Sequence, residues 1–321
     1  MSKGQKHHFV PEVYLKRFAQ DNTGLTNSLV IKPLLKSARA KPTNTSKICY
    51  QRDMFRMQTN KYHEKRLIDN PYYIEQNAFA YENRQLVKLF NLIEYKKPVL
   101  ISEACELLKI IFSIKRRNPQ FGDNFTTQKV QNHTNEVTNS IFNELTQKVS
   151  SVPNSEMNIQ NTLNKLLLEL ESEDYVKDIY RKLLLEIKED KNPDEIRRLN
   201  NFVNLKFNVL RTSFDAPFIT SDNPGFTIQD GTKFFNLNLG FVQEFVFPLS
   251  PTSLLLIDFR IKDPVDTIYK RISYNTILPN QVNYYNLGTC FLCKKRIISY
   301  NSDQLEIAKN ILLVNNSASD P

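Results

Sequence analysis

Apolar residues change their spacing near residue 205, and this change restricts the possible fold more than any other feature of the sequence. Upstream, for example over residues 163–170 and 179–187, apolar residues recur every three or four positions, as on one face of a helix. Downstream, short runs of β-branched and aromatic residues such as 245–249 are separated by Asn, Asp, Gly and Pro. Helical segments followed by a series of strands predict an α+β fold and not an alternating β-α-β array.

We predict one domain over residues 1–314, in which a helix-rich N-terminal two-thirds packs against a mainly antiparallel sheet from the C-terminal third. The helical part covers about residues 62–205 and the strand-rich part about residues 206–275, with the N-terminal segment docked nearby. Predicted helices span residues 10–20, 72–94, 102–118, 126–150, 159–190, 193–207, 278–296 and 302–313. Tyr81 is expected on the buried face of the second of these helices, and Ser102 is expected to cap the third. Predicted strands span residues 28–31, 207–212, 218–220, 226–228, 245–249, 253–258 and 297–299. Residues 41–44 are expected to form a loop, and the polar tail 315–321 to be frayed.

The composition disfavours several classes of function. With 7 glycines among 321 residues, the chain contains neither a P-loop nor a GxGxxG pattern, which argues against classical ATP or dinucleotide chemistry. The net charge of +9 suits a polyanionic partner such as nucleic acid, although general solubility of a lysine-rich chain is the simpler explanation. No apolar run reaches the roughly 18 residues of a membrane helix, and no apolar segment follows the basic start. We therefore expect no membrane association and a cytoplasmic location.

The four cysteines, Cys49, Cys105, Cys290 and Cys293, are too few and too scattered for a disulfide scaffold, which agrees with a reducing compartment. Cys290 and Cys293 form a CxxC pair, but a structural zinc ion takes four ligands and the other two cysteines are distant in sequence. We interpret the pair as buried residues of a helix, with a zinc site as the less favoured alternative.

A pair of histidines, His7 and His8, precedes the first predicted helix. Neutral imidazole binds transition metals and acts as a general base near pH 7. Adjacent side chains of an extended segment point to opposite faces, so only one of the two is expected to face a given site. An exposed basic terminus is the alternative, but a predicted apolar stripe would dock this segment on the protein; it consists of Val10, Tyr14, Leu15 and Phe18.

Three acidic residues and one arginine are further candidates. Glu75 and Glu82 lie seven residues apart, about two helical turns, so that their carboxylates share a face and could bind a divalent ion or act as acid and base; a solvated helix face is the alternative. Arg117 ends the next helix, where it could clamp a phosphate or simply stabilise the helix dipole. Asp222 lies in a turn after a strand, a common place for a ligand or catalytic residue and equally for a turn cap.

Five short motifs follow one another along the chain: His7-His8-Phe9-Val10-Pro11-x-x-Tyr14-Leu15-x-x-Phe18, Ile74-Glu75 with Glu82, Arg117-x-Pro119, Ile219-Thr220-Ser221-Asp222-Asn223-Pro224, and Phe247-Pro248-Leu249-Ser250-Pro251. In this order, and over roughly residues 6–251, they resemble the bacterial domain-of-unknown-function family 4238. The resemblance implies no activity. It implies that six polar residues belong to one recurrent set, as expected of a functional site: His7, His8, Glu75, Glu82, Arg117 and Asp222.

The favoured hypothesis is a metal-dependent phosphodiester hydrolase, a nuclease that acts on nucleic acid and serves as a bacterial defence or toxin effector. In this hypothesis Mg²⁺ or Mn²⁺ is held by the metal ligands His8, Glu75, Glu82 and Asp222. His7 or His8 acts as general base, and Arg117 stabilises the charge on the phosphate. One alternative is a non-catalytic module that binds nucleic acid or protein and uses the same residues as a structural polar network. The other is a hydrolase or transferase acting on a nucleotide.

Overall fold

The computed structural model describes residues 4–20, 24–31, 37–57, 69–119, 193–236, 243–263 and 268–317, together with residues 161, 181, 182, 184–186, 189 and 191. The predicted helix over residues 126–150 lies outside the described residues, as does most of the one over residues 159–190. Within the described part, no helix combines the length and the apolar character needed to cross a lipid bilayer.

Most predicted helices are present. The helices are α1 (Glu12–Leu15), α2 (Ala80–Glu94), α3 (Ile101–Arg117), α4 (Pro193–Val203), α5 (Pro279–Leu292) and α6 (Ser302–Ser317). A 3-10 turn, Lys16–Phe18, extends α1, and a π-helical turn, Ile74–Phe79, leads directly into α2. The last helix continues to Ser317, past the predicted start of the frayed tail at residue 315.

The largest sheet has six strands, in the order β11-β5-β10-β9-β7-β8. They are β5 (Leu205–Arg211), β7 (Phe226–Gln229), β8 (Lys233–Phe235), β9 (Glu244–Ser250), β10 (Ser253–Lys262) and β11 (Ile272–Thr276). Neighbouring strands are antiparallel, except that β11 pairs with β5 in parallel. This sheet is therefore mainly antiparallel, as predicted.

Two smaller sheets use strands from the N-terminal part of the chain. A four-stranded sheet has the order β3-β2-β12-β6, and β1 pairs with β4 in a two-stranded ribbon. The strands are β1 (Lys6–His8), β2 (Leu25–Val30), β3 (Lys41–Asn44), β4 (Tyr50–Arg52), β6 (Thr220–Ser221) and β12 (Arg296–Ser299). The α+β class is confirmed, but strands occur along the whole chain, so the predicted division into a helical part and a sheet part is not confirmed.

Both faces of the six-stranded sheet are covered by helices. Along β10, Leu255 and Ile257 pack into the cluster that contains α2, α3 and the N-terminal segment. Leu254 and Leu256 point to the opposite face and pack in the cluster that contains Val282 of α5. Because side chains alternate along a strand, a run of consecutive apolar residues marks a strand that is buried on both sides.

Three local predictions were wrong. Residues 41–44 form β3 and not a loop, since Pro42 lies in an edge strand, where a missing N–H is tolerated. Ser102 does not cap α3, because the helix begins at Ile101 and Leu100 occupies the N-cap position, where its N–H donates to the carboxylate of Glu103 at 3.0 Å. Tyr81, predicted to be buried, is 50% exposed. The π-helical turn before it contains more residues per turn than an α-helix, which shifts the position of the apolar stripe.

Candidate functional site

A cavity of about 180 Å³ lies where the N-terminal segment meets the helical segment of α2. Its polar lining comes from β1, α1, the π-helical turn, α2 and the end of α3, and consists of His8, Glu12, Lys16, Glu75, Asn83 and Arg117. Pro11 and Val13 complete the lining. The volume is below the roughly 300–1,000 Å³ of sites that enclose a whole small molecule, so the cavity fits one functional group of a larger ligand.

His8 reaches the cavity from β1. Its main chain pairs with Tyr50 of β4, and the two rings lie 5.8 Å apart between centroids. The Nε2 atom of His8 is buried and has no hydrogen-bond partner among the described residues. Burial lowers the pKa of the imidazole, while Glu12 raises it and Lys6 lowers it further. His8 is therefore predominantly neutral at pH 7 and can accept a proton.

Glu75 lies in the π-helical turn, a type of distortion that often occurs at functional sites. Its Oε2 atom is buried and has no hydrogen-bond partner among the described residues. Burial raises the pKa of this carboxyl group to about 7, while Arg117 lowers it and Glu82 raises it. Near neutral pH both protonation states of Glu75 are populated, so it can donate or accept a proton.

Arg117 and Glu82 form an ion pair that is removed from solvent. The Nη2 atom of Arg117 donates to Oε1 of Glu82 at 2.5 Å, and the side chains are 1% and 0% exposed. The guanidinium also lies 4.1 Å from the ring centroid of Phe79. These contacts hold a cation in the cavity wall, although the Nε atom of Arg117 keeps no hydrogen-bond partner within the described part. Glu82 thus acts through Arg117 and does not line the cavity.

His7 points away from the cavity, as expected for the neighbour of His8 in a strand. It is fully buried, and its Nδ1 atom accepts the backbone N–H of Phe55 at 2.8 Å. Its ring stacks on Phe55 and meets the edge of Tyr72. Burial lowers the pKa of His7 to about 4. These contacts fix the turn after β4, and the Nε2 atom of His7 is buried without a hydrogen-bond partner among the described residues.

Asp222 is likewise absent from the cavity lining. Its carboxylate accepts the backbone N–H groups of Lys294 (2.9 Å), Lys295 (2.8 Å) and Arg296 (3.2 Å) at the start of β12. Burial raises the pKa of Asp222, and the three amides lower it. This geometry is that of a structural cap, which was the alternative interpretation of the turn.

No group of three or more His, Cys, Asp or Glu side chains within the described ranges is placed to hold a metal ion. Of the four predicted ligands, His8 and Glu75 line the cavity, Glu82 is paired with Arg117, and Asp222 binds backbone amides. The thiols of Cys290 and Cys293 are buried in an apolar cluster with Ile219 and Leu305, in agreement with their interpretation as core residues.

The family model described as "Protein of unknown function (DUF4238)" matches residues 6–303. The chain belongs to this family. No curated protein and no solved structure matches the chain. The part that belongs to DUF4238 begins at β1 and includes every residue that lines the cavity.

Three polar residues of this DUF4238 cavity were missed by the sequence reasoning: Glu12, Lys16 and Asn83. The i,i+4 spacing of Glu12 and Lys16 was a usable signal, because their side chains pair at 3.1 Å. Asn83 follows Glu75 by eight residues, which is too many for two regular α-helical turns. The π-helical turn between Glu75 and Asn83 accommodates the extra residue. The sequence pattern does not predict this π-helical turn.

Proposed function

We propose that this cavity hydrolyses phosphodiester bonds and that the protein is a nuclease. The proposal rests on one observation. Buried polar atoms without hydrogen-bond partners in the described structure, Nε2 of His8, Oε2 of Glu75 and Oδ1 of Asn83, belong to residues that line one cavity beside a guanidinium. Leaving such atoms unpaired costs about 1–3 kcal/mol each, so their accumulation in one place favours a ligand-binding or catalytic role.

The protonation states favour acid–base hydrolysis. Neutral His8 takes a proton from the attacking water as its oxygen bonds to phosphorus. Glu75 in its protonated form gives its proton to the ester oxygen as the phosphorus–oxygen bond breaks. Arg117 stabilises the negative charge that develops on the phosphate oxygens. Water is added across the bond, and the proton balance between His8 and Glu75 is restored through solvent.

A polymeric substrate fits the site better than a free nucleotide. The cavity accommodates a phosphate group with part of a sugar, and the net charge of +9 favours a polyanion. Three further points remain predictions: the requirement for Mg²⁺ or Mn²⁺, the cytoplasmic location, and a role in bacterial defence or toxicity.

The test is a cleavage assay with end-labelled RNA, single-stranded DNA and duplex DNA, each in EDTA, Mg²⁺ and Mn²⁺. We expect cleavage by the wild type and at least a 100-fold lower kcat for His8→Gln and for Glu75→Gln. Glu306→Gln is the matched control, because Glu306 is a half-exposed carboxylate on α6 and is not among the cavity residues. Absence of cleavage by folded wild type under every condition contradicts the proposal, as does unchanged cleavage by both variants.

A non-catalytic binding module is the second candidate, and the contacts of Asp222 favour it. The three amides that the buried carboxylate of Asp222 binds support a structural role for at least one residue of the recurrent set. If the whole set is structural, Glu75→Gln will lower the free energy of unfolding as much as Asp222→Asn does. If Glu75 is catalytic, Glu75→Gln will keep or increase the stability, since it removes a carboxylate that burial disfavours.

A further inference from the structure

The ribbon of β1 and β4 presents one face of which the proposed function uses only His8. Lys6 pairs with Arg52, and His8 pairs with Tyr50. Residues directly opposite each other in an antiparallel pair share a face, as do residues two apart in one strand. Lys6, His8, Tyr50 and Arg52 therefore lie on one side of the ribbon, which we call the β1–β4 face. His8 connects this face to the cavity.

The β1–β4 face carries two exposed cations that make no ion pair with a carboxylate of the described chain. The Nζ atom of Lys6 donates to the carbonyl of Ser46 at 3.4 Å and lies 4.7 Å from the ring centroid of Tyr50. Arg52 donates to the carbonyl of Gly4 at 2.5 Å. Within the described ranges, the hydrogen-bond and ring partners of both side chains are neutral groups, so their charge is available to an anionic ligand.

Tyr50 supplies an aromatic surface between these cations and the cavity. Its side chain is half-buried, and its ring is inclined by 56° to that of His8. The group over the ring is the flexible side chain of Lys6, which can move aside towards a phosphate. Cations beside a stacking platform are the usual means of binding single-stranded nucleic acid.

We propose that the β1–β4 face binds a single-stranded segment of RNA or DNA next to the phosphodiester that enters the cavity. This inference rests on the proposed function for the position of the scissile bond. Lys6 and Arg52 contact phosphates, and Tyr50 stacks on one base. A paired base offers no free face to Tyr50, and a stiff duplex cannot bend its backbone into a recessed cavity of about 180 Å³. The face therefore selects single strands over duplexes.

The test measures binding by fluorescence anisotropy, with labelled single-stranded RNA, single-stranded DNA and duplex DNA over a range of salt concentrations. All proteins carry Glu75→Gln, so that cleavage does not interfere. We expect Tyr50→Leu to weaken single-strand binding roughly tenfold. Lys6→Gln and Arg52→Gln should each reduce the slope of log K against log salt by about 1. The matched controls are Tyr95→Leu, just after the end of α2, and Lys88→Gln on α2, since both residues are exposed.

Equal affinity for duplex and single strand, or unchanged binding by Tyr50→Leu, Lys6→Gln and Arg52→Gln, overturns this inference. Lys6→Gln and Arg52→Gln change exposed side chains, so they test it even if Tyr50→Leu fails to fold. Failure of the proposed function gives a different result. In that case no nucleic acid is cleaved by the wild type, while single-strand binding still depends on Tyr50 and Arg52.

Discussion

His7 and His8 are neighbours in sequence, but they face opposite sides of β1 and their surroundings assign them different roles. His7 has a hydrogen-bond partner for Nδ1 and two aromatic neighbours, so its imidazole is a structural acceptor. The Nε2 atoms of both histidines are buried without a hydrogen-bond partner in the described structure, but only His8 lines the cavity. His7 therefore fixes the position of β1, the strand that also carries His8, and His8 is the candidate for acid–base chemistry.

Replacing His7 by Asn should reduce the loss of stability in acid. The pKa of His7 is about 4 in the folded protein, against 6.5 for an unperturbed histidine, so its contribution is complete above pH 6.5 and is lost as the pH falls towards 4. This contribution amounts to at most about 3 kcal/mol. In His7→Asn, the amide oxygen can still accept the N–H of Phe55, but nothing titrates. Urea unfolding between pH 4 and 7 measures the difference, and parallel curves for wild type and variant would contradict the assignment.

The pH dependence of cleavage should identify Glu75 as the general acid. A group that must be protonated supports activity below its pKa and loses it above, so kcat/KM of the wild type should fall above about pH 7. His8 must be neutral, so activity should also fall on the acid side, below the ordinary histidine pKa. Glu75→Gln should retain only weak activity, without the fall above pH 7. If kcat/KM of Glu75→Gln fell above pH 7 in the same way as that of the wild type, the fall would belong to another group.

At the scale of secondary-structure elements, the end of α3 is joined to the strands by a buried lysine. The Nζ atom of Lys115 donates to Oδ1 of Asn223 (2.6 Å), to the carbonyl of Gly225 (2.7 Å) and to Oδ1 of Asn236 (2.6 Å). Burial lowers the pKa of Lys115 to about 7, although three acceptors match the three protons of the charged form. Two residues further along α3, Arg117 lies in the cavity wall. The end of α3 therefore supports both the contacts with the strands and the wall of the cavity.

Lys115→Met should destabilise the protein by about 2–4 kcal/mol, because it leaves buried acceptors without their donor. Lys88→Met is the control, since the Lys88 side chain is 58% exposed and its contact with Glu103 is a surface ion pair. That variant should change the free energy of unfolding by less than about 1 kcal/mol. Chemical denaturation measures both. A change for Lys115→Met as small as that of the control would show that the three contacts contribute little.

The elements that the sequence predicted correctly are those with strong local patterns. The stripe of α3, with Leu107, Leu108 and Ile111, and the continuous apolar run of β10 specify their structure without reference to distant residues. The strands that were missed have three to five residues. Lys6–His8, for example, is a strand only through its hydrogen bonds to β4, more than 40 positions later in the sequence. No local pattern specifies such pairing.

The candidate site could be predicted in part, for a similar reason. His8, Glu75 and Arg117 stand in motifs whose residue types suggest chemistry, and the structure brings them to one cavity. Asp222 stands in an equally suggestive motif, yet its carboxylate binds amides of residues 294–296, more than 70 positions later in the sequence. A turn residue that caps a distant strand and a turn residue that serves a site look the same in sequence, because the distinction lies in tertiary contacts.

At the scale of the whole molecule, the N-terminal segment connects three structural units. The hydroxyl of Tyr14 bonds to Oγ1 of Thr220 (2.7 Å) in the four-stranded sheet and donates to the carbonyl of Pro248 (2.9 Å) in the six-stranded sheet. Arg17 donates to the carbonyl of Leu249 (3.0 Å) and pairs with Glu94 at the end of α2. The segment that carries His8 is therefore part of the core, which makes the position of His8 dependent on the complete fold.

These connections predict one cooperative unfolding transition, as expected if residues 1–314 form a single domain. The chain contains no tryptophan, so tyrosine fluorescence and far-UV circular dichroism are suitable probes, and their urea curves should coincide. Tyr14→Phe removes both hydroxyl bonds and leaves the carbonyl of Pro248 without that donor, which should cost about 1–3 kcal/mol. Because the bonds join the two sheets, both curves should shift together. Tyr95 is 69% exposed, so Tyr95→Phe should shift neither curve. Two separate transitions, with only one displaced by Tyr14→Phe, would show that the sheets unfold independently and that Tyr14 stabilises just one of them.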